Sequence, residues 1–238
     1  MFLNLNRFEW SIFIISLLLL SMYVYMLKSA PNIEKYVNKY KHELNWIRYE
    51  DLVEIVSNGD FILLSGNTRG EKMCRFIPNS IFSHVGILFK EYDKKTKTEE
   101  IYILDSDLGQ GYKEGVRVSQ LKTKLERYKG FRIGAIKKLN GKNRPDTLDI
   151  LKLFEKYKNH DFDHVILTWF TANYPNIHKY FKNENRVFCG EFIALILQEL
   201  NILKRNKLPS WYVPGDFYTN RLDLNKGYSC GTSYFFLF

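Results

Sequence analysis

Cysteine is scarce in this chain, with three residues in 238: Cys74, Cys189 and Cys230. An odd, small number does not make a disulfide framework and fits a reducing compartment. No Cys-x-x-Cys pair or His/Cys cluster has the spacing of a zinc site. Internal repeats and low-complexity tracts are also lacking. The basic excess, a net charge of +9 and a pI of about 9.3, is not gathered into any nucleic-acid module. Its densest runs are Lys94, Lys95 and Lys97, then Lys137, Lys138, Lys142 and Arg144, then Lys204, Arg205 and Lys207. These read as solvated faces and loops, with attraction to anionic lipid as the functional alternative, and no specific nucleic-acid partner is expected.

Long hydrophobic runs are lacking too, with one exception. Trp10 to Leu27 carries no charge. At about 1.5 Å per residue its length nearly matches a hydrocarbon core of roughly 30 Å. Trp10, Tyr23 and Tyr25 stand near its ends, where aromatic belts lie. A cleaved signal peptide would need a stronger basic start than Arg7 beside Glu9, and a small-x-small site that Lys28, Ser29 and Ala30 do not supply. The run therefore reads as a transmembrane anchor, with the bilayer as partner through residues 10–27. Lys28, Lys35, Lys39 and Lys41 follow the span and only Arg7 precedes it, which places the larger part on the cytosolic side.

What remains has ample apolar and aromatic content for a globular domain. Asn32 to Glu54 shows helical spacing, with Ile33, Val37, Tyr40, Leu44, Ile47 and Leu52 on one stripe, and predicts a stalk helix. Strands are predicted at Phe61 to Leu64, His84 to Lys90, Glu100 to Asp105, Val116 to Val118 and Phe131 to Lys137. Helices are predicted at Glu71 to Ile77, at Pro145 to Lys158 with Pro at its first position, and at Cys189 to Leu203. Asp161 to Asn185 is aromatic-rich through Trp169, Tyr174 and Tyr180, and no element is assigned to it. The organisation expected is an anchor at 1–30, a stalk at 31–58, a domain at 59–220 and a C-terminal tail at 221–238. Strands first and helices later indicate α+β.

Cys189 opens the most hydrophobic helix outside the anchor. Helix N-terminal amides and the helix dipole favour an anion, so they raise the thiolate fraction and can hold an oxyanion. Gly190 beside it leaves room for a substrate. A small buried hydrophobe at a helix start is the plainer use of a free cysteine. His84 opens a strand in SHVGILF, and imidazole is the usual base for a thiol. His164 is its rival. Asp105 ends the next strand, placed to accept the second imidazole N–H; Asp107, two residues on, is the alternative. Cys74 and Cys230 read as structural.

Four segments occur in order: GDFILLSGN (Gly59 to Asn67), RFIPNSIFSHVGILF (Arg75 to Phe89), IYILDSDLGQGYKEGVRVSQL (Ile101 to Leu121) and FCGEFIALILQELNIL (Phe188 to Leu203). Their order and spacing resemble the circularly permuted NlpC-like papain-fold superfamily, in particular its YiiX-like branch, with lecithin–retinol acyltransferase a more distant cousin. The resemblance runs from Gly59 to about Phe217 if VPGDFY (Val213 to Tyr218) is the closing segment. It implies a permuted papain-like α+β fold, an antiparallel sheet packed on a buried helix that carries the nucleophile. It implies Cys189 as nucleophile, His84 as base and Asp105 as orienting acid, where relatives often have Glu. It implies acyl-enzyme chemistry without metal or cofactor, on a peptide, a peptidoglycan amide or a lipid acyl ester. The cytosolic orientation counts against peptidoglycan. The expectation is a cysteine hydrolase of the peptidase or amidase kind. A lipid acyltransferase using the same residues, or a catalytically idle, membrane-tethered binding module, are the alternatives.

Overall fold

The computed structural model describes residues 7–66, 68–76, 79–93, 97–108, 113–127, 133–164, 175–178 and 180–238. Phe131, Trp169 and Tyr174, named above, lie outside these. The protein is α+β. Its main sheet has the strands β1 (Asn45–Trp46), β2 (Phe61–Ser65), β3 (His84–Asp93), β4 (Thr98–Asp107), β5 (Gly115–Gln120), β6 (Ile133–Gly141) and β9 (Tyr228–Phe236). Their spatial order is β1-β9-β6-β2-β3-β4-β5. Only β1 against β9 is parallel in it; every other pair is antiparallel. A separate parallel pair joins β7 (Asp161–Phe162) to β8 (Arg186–Val187).

Helices cover both faces of the sheet. Alternation along the strands sends Val85, Ile87 and Phe89 to one side, against Phe192, Ile193 and Ile196 of a helix at Cys189–Glu199. It sends Ile62, Leu64 and Leu88 to the other, against Leu52, Leu121 and Leu125. The helices, in chain order, are α1 (Arg7–Ser29), α2 (Ile33–Tyr40), α3 (Leu52–Ile55), α4 (Arg69–Phe76), α5 (Leu121–Arg127), α6 (Thr147–Tyr157), α7 (Pro175–His178), α8 (Cys189–Glu199) and α9 (Pro214–Tyr218). Among the described residues one helix, α1, is long and apolar enough to cross a membrane. Its apolar side chains, from Ile12 to Tyr25, are largely exposed.

Several sequence expectations need correction. The stalk is not one helix. α2 stops at Tyr40, and Asn45–Trp46 instead pairs with Tyr234 and Phe235. The Trp46 ring lies against Phe235, 6.0 Å between centroids, and its indole N–H donates to the Lys41 carbonyl. Aromatic packing and strand pairing there outweigh the helical stripe. The C-terminal tail likewise contains β9, which lies inside the sheet between β1 and β6. Pro145 precedes the N-cap of α6 and is not its first residue: Asp146 and Asp149 form a reciprocal capping box. α8 ends at Glu199, because Asn201 turns into the left-handed region at φ 56°.

Asp60 ties β2 to β6. Its carboxylate is fully buried and accepts hydrogen bonds from Lys138, from Arg144 (2.6 Å) and from the backbone N–H groups of Ser57 (2.9 Å) and Leu139 (3.0 Å). Before it, Gly59 sits at φ 86°, with Pro145 where a Cβ would stand. Removing the carboxylate strands two cations beside a core. We predict that Asp60→Ala lowers unfolding free energy by about 3–5 kcal/mol, whereas exposed Glu54→Ala changes it by less than about 0.5 kcal/mol. Chemical denaturation measures both, and equal effects would refute the role given to Asp60.

Candidate active site

The sheet ends nearest α4 and α8 bring the sequence-selected residues together. β3 begins at His84, paired across β2 at Leu64. β4 runs antiparallel beside it and carries Asp105. The His84 Nε2 to Asp105 Oδ2 distance is 2.7 Å. Gly86 makes this approach possible, since a Cβ there would fall 2.5 Å from the Ile103 side chain. The Cys189 thiol lies within hydrogen-bond reach of the same ring. With Nε2 committed to Asp105, Nδ1 is the nitrogen left for sulfur.

Cys189 is held from two sides. The hydroxyl of Ser106, between the two aspartates, donates to the Val187 carbonyl at 2.7 Å and fixes the approach to the helix. Phe188 caps α8 in an extended conformation without a side-chain cap bond, so the first amides of α8 are not blocked by a side chain of their own cap. Gly190 does not leave room for a substrate, contrary to the sequence reading. The backbone of Tyr212 and Val213 fills that space, 2.4 Å from an imagined Cβ. Glycine is needed there for helix-to-loop packing.

Asp107 does not take the ring. It accepts from Arg117 (2.5 Å) and from Lys124 (2.8 Å). Lys124 also donates to Asp105, and its side chain is fully buried. Arg117 Nε stands 3.8 Å from the far oxygen of Asp105. Two buried carboxylates thus face one fully buried cation, Lys124, and one partly buried, Arg117. Burial alone would raise the Asp105 pKa, but Lys124, then the His84 hydrogen bond, then Arg117 hold it well below the usual carboxylate range. At His84 burial and Lys124 disfavour the imidazolium. The charge on Cys189 and the bonds to Asp105 and Cys189 outweigh them, and the pKa is raised to about 10. The arrangement favours the imidazolium form of His84.

His164 is far less enclosed: it pairs with the exposed carboxylate of Glu114 at 2.6 Å. Cys74, on α4, is close enough to Cys189 for the two to interact electrostatically, and burial first, then that neighbour, push its thiol up. Cys230 is a strand residue of β9 whose thiol is raised by burial. Glu191, one turn into α8, pairs with Lys182 at 2.9 Å, and burial still lifts it to about 7. Lys124 and Arg117 were missed by sequence reasoning. Lys124 stands in LKTKLER, where nothing local separates a buried lysine from a solvated one.

The donor atoms of His84, Asp105 and Asp107 lie within 4.8 Å of one another, a grouping that invites a metal ion. The residues do not fit one as they stand. The ammonium of Lys124 fills the place between the two carboxylates, Arg117 takes a further donor and His84 Nε2 is committed to Asp105. The protein supplies its own cation there.

No protein-family model and no curated protein matches this sequence. Among solved structures the chain is similar to the metalloprotein yiiX from Escherichia coli O157:H7, at 18% identity and a TM-score of 0.39, over 60% of this chain and 65% of that one.

The role of Lys124 has a pH signature. A carboxylate with a depressed native pKa stabilises the fold above its unfolded pKa, and that contribution is lost as pH falls through the native value. Lys124→Met removes the main depressing charge. We predict a loss of about 3–5 kcal/mol near pH 7, narrowing as pH falls and the variant's folded-state carboxylates, no longer held down by Lys124, take up protons that the wild-type fold still excludes. Urea unfolding across that range reads it. A deficit independent of pH would show that Lys124 matters only as packing.

Proposed function

We propose that this chain is a membrane-anchored, cysteine-dependent hydrolase of a permuted papain-like kind, related to the NlpC-like and lecithin–retinol acyltransferase groups. The observation that carries the reading is the buried chain Cys189–His84–Asp105 at the N-terminus of α8. The Cys189 thiolate attacks an acyl carbonyl, forming a carbon–sulfur bond, and the backbone amides at the start of α8 stabilise the oxyanion. The His84 imidazolium gives its proton to the leaving amine or alkoxide as the scissile carbon–nitrogen or carbon–oxygen bond breaks, leaving a thioester on Cys189. Neutral His84 then takes a proton from water, which attacks the thioester and releases the acid. Asp105 holds the ring's tautomer and stabilises its charged form.

Among amide, peptide and lipid acyl substrates, the placement of the site favours one presented at a membrane. β2 ends between His84 on one side and Ile133 on the other, through the pairs Leu64 with His84 and Ser65 with Ile133. Ile133 lines the cavity at the foot of α1. α4 packs against α1, with Tyr25 edge-on to Phe76 at 5.9 Å, and carries Cys74 beside Cys189. The end of the sheet that bears the dyad is therefore the end beside the anchor. A lipid acyl ester is the substrate class we favour, with the domain on the cytosolic side of the bilayer.

The test is alkylation of the full chain in detergent by a small electrophile between pH 4 and 9. Wild-type Cys189 should react fast well below the ordinary thiol pKa of about 8.5. His84→Ala should slow it by about 10²-fold at pH 6, and Cys189→Ala should abolish both labelling and ester hydrolysis. Slow labelling indifferent to His84 would leave a papain-like scaffold used only for binding.

A further inference from the structure

Where α1 ends, the chain turns through Ala30 and Pro31 into α2, and a cavity of about 470 Å³ opens between this turn, α4 and the end of β6. Its polar lining comes chiefly from Lys28, Lys72, Arg75 and Asn32, with Glu34 the one acid, over an apolar floor that includes Ile133. Neither Lys28 nor Lys72 makes an ion pair with a described residue.

Arg75 makes this more than a basic patch. It is 2% exposed, yet among the described residues no carboxylate lies within salt-bridge distance of it. One Nη donates to the Gly66 carbonyl, and its buried Nε–H has no hydrogen-bond partner. Glu71, on the same helix, is the carboxylate that acts on it electrostatically, but it makes no ion pair with it, and burial still disfavours the charged guanidinium. A buried donor such as this Nε–H is rarely left unmet. Depth supplies the other half of the argument. Lys28 closes the apolar run of α1, at the level where lysines reach for the polar boundary of a bilayer. The cavity shares that level.

We propose that this cavity binds the phosphate-bearing headgroup of an anionic phospholipid from the bilayer that α1 crosses. Arg75 donates to the phosphate from beneath, and Lys28 and Lys72 neutralise it from the rim. The acyl chains remain in the bilayer beside α1. The headgroup is held next to α4 and Ile133, at the end of the sheet where β3 begins with His84, so the pocket retains an anionic lipid near the proposed site. The inference rests on the anchored reading of α1 and not on the chemistry of Cys189.

The experiment uses the full chain in phosphatidylcholine nanodiscs, without or with a minor share of phosphatidylglycerol, and reads the unfolding temperature. Phosphatidylglycerol should raise it saturably. Inorganic phosphate added to phosphatidylcholine discs should not. Lys28→Gln combined with Lys72→Gln should shift half-saturation by at least about tenfold, and Arg75→Gln should remove the response. Because Arg75→Gln risks misfolding, the lysine pair decides. An unchanged response in the lysine variant, no response in wild type, or a full response to inorganic phosphate would each overturn the headgroup assignment. Vesicle flotation separates the two readings. A chain that fails to float loses its anchor, whereas one that floats without a headgroup effect loses only this pocket.

Discussion

A carboxylate stripped of water at the end of a strand has to be surrounded by positive charge, and Asp105 is such a group. It is fully buried, and the elements around it are arranged to compensate it. β3 offers the His84 ring, β5 offers Arg117, and α5 inserts Lys124 from the opposite layer. Each of these is placed by ordinary packing. Leu121 and Leu125 seat α5 on the sheet, which leaves Lys124 aimed at the aspartates between them. The apolar core and the charged cluster are thus the same construction. The leucines position the cation, and the cation makes a buried aspartate tolerable.

The consequence for chemistry is a division of labour. Asp105 remains an acceptor because Lys124 keeps it ionised. An ionised Asp105 keeps one imidazole nitrogen engaged and turns the other toward Cys189. Asp107, pinned by Arg117 and Lys124, helps to hold the cation and not the ring. The short side chain of Asp105 reaches the ring across Gly86, whose missing Cβ would stand 3.3 Å from the Asp105 Cβ.

Much of the fold was legible in the sequence, because strands β2 to β6 and helix α8 bury continuous or alternating apolar residues whose period announces them. What was not legible depended on partners remote in sequence. YSCGTSYFF has a half-exposed, irregular burial pattern and becomes a strand only between β1 and β6. Asn45–Trp46 leaves a helical stripe only because β9 is there to pair with it. In the site, His84, Asp105 and Cys189 could be named because strand ends and helix starts are local features. Lys124 and Arg117 could not, since the burial of a cation is decided by what other segments bring to it. Gly190 was misjudged for the same reason: the loop that fills its space lies over twenty residues away.

The apolar helix α1 packs on the domain at one end of the sheet. If α1 merely tethered a domain, a flexible connection would serve and the facing surfaces would be polar throughout. Instead α1 packs on α4, Met26 is buried, and the turn into α2 borders a cavity lined in part by a buried arginine whose Nε–H has no partner. Helix α4 is the shared wall, with Phe76 against α1 and Arg75 in the cavity. Consecutive residues of one short helix therefore serve both the packing on α1 and the lining of the cavity, which is a physical reason for the two to lie at the same end of the sheet.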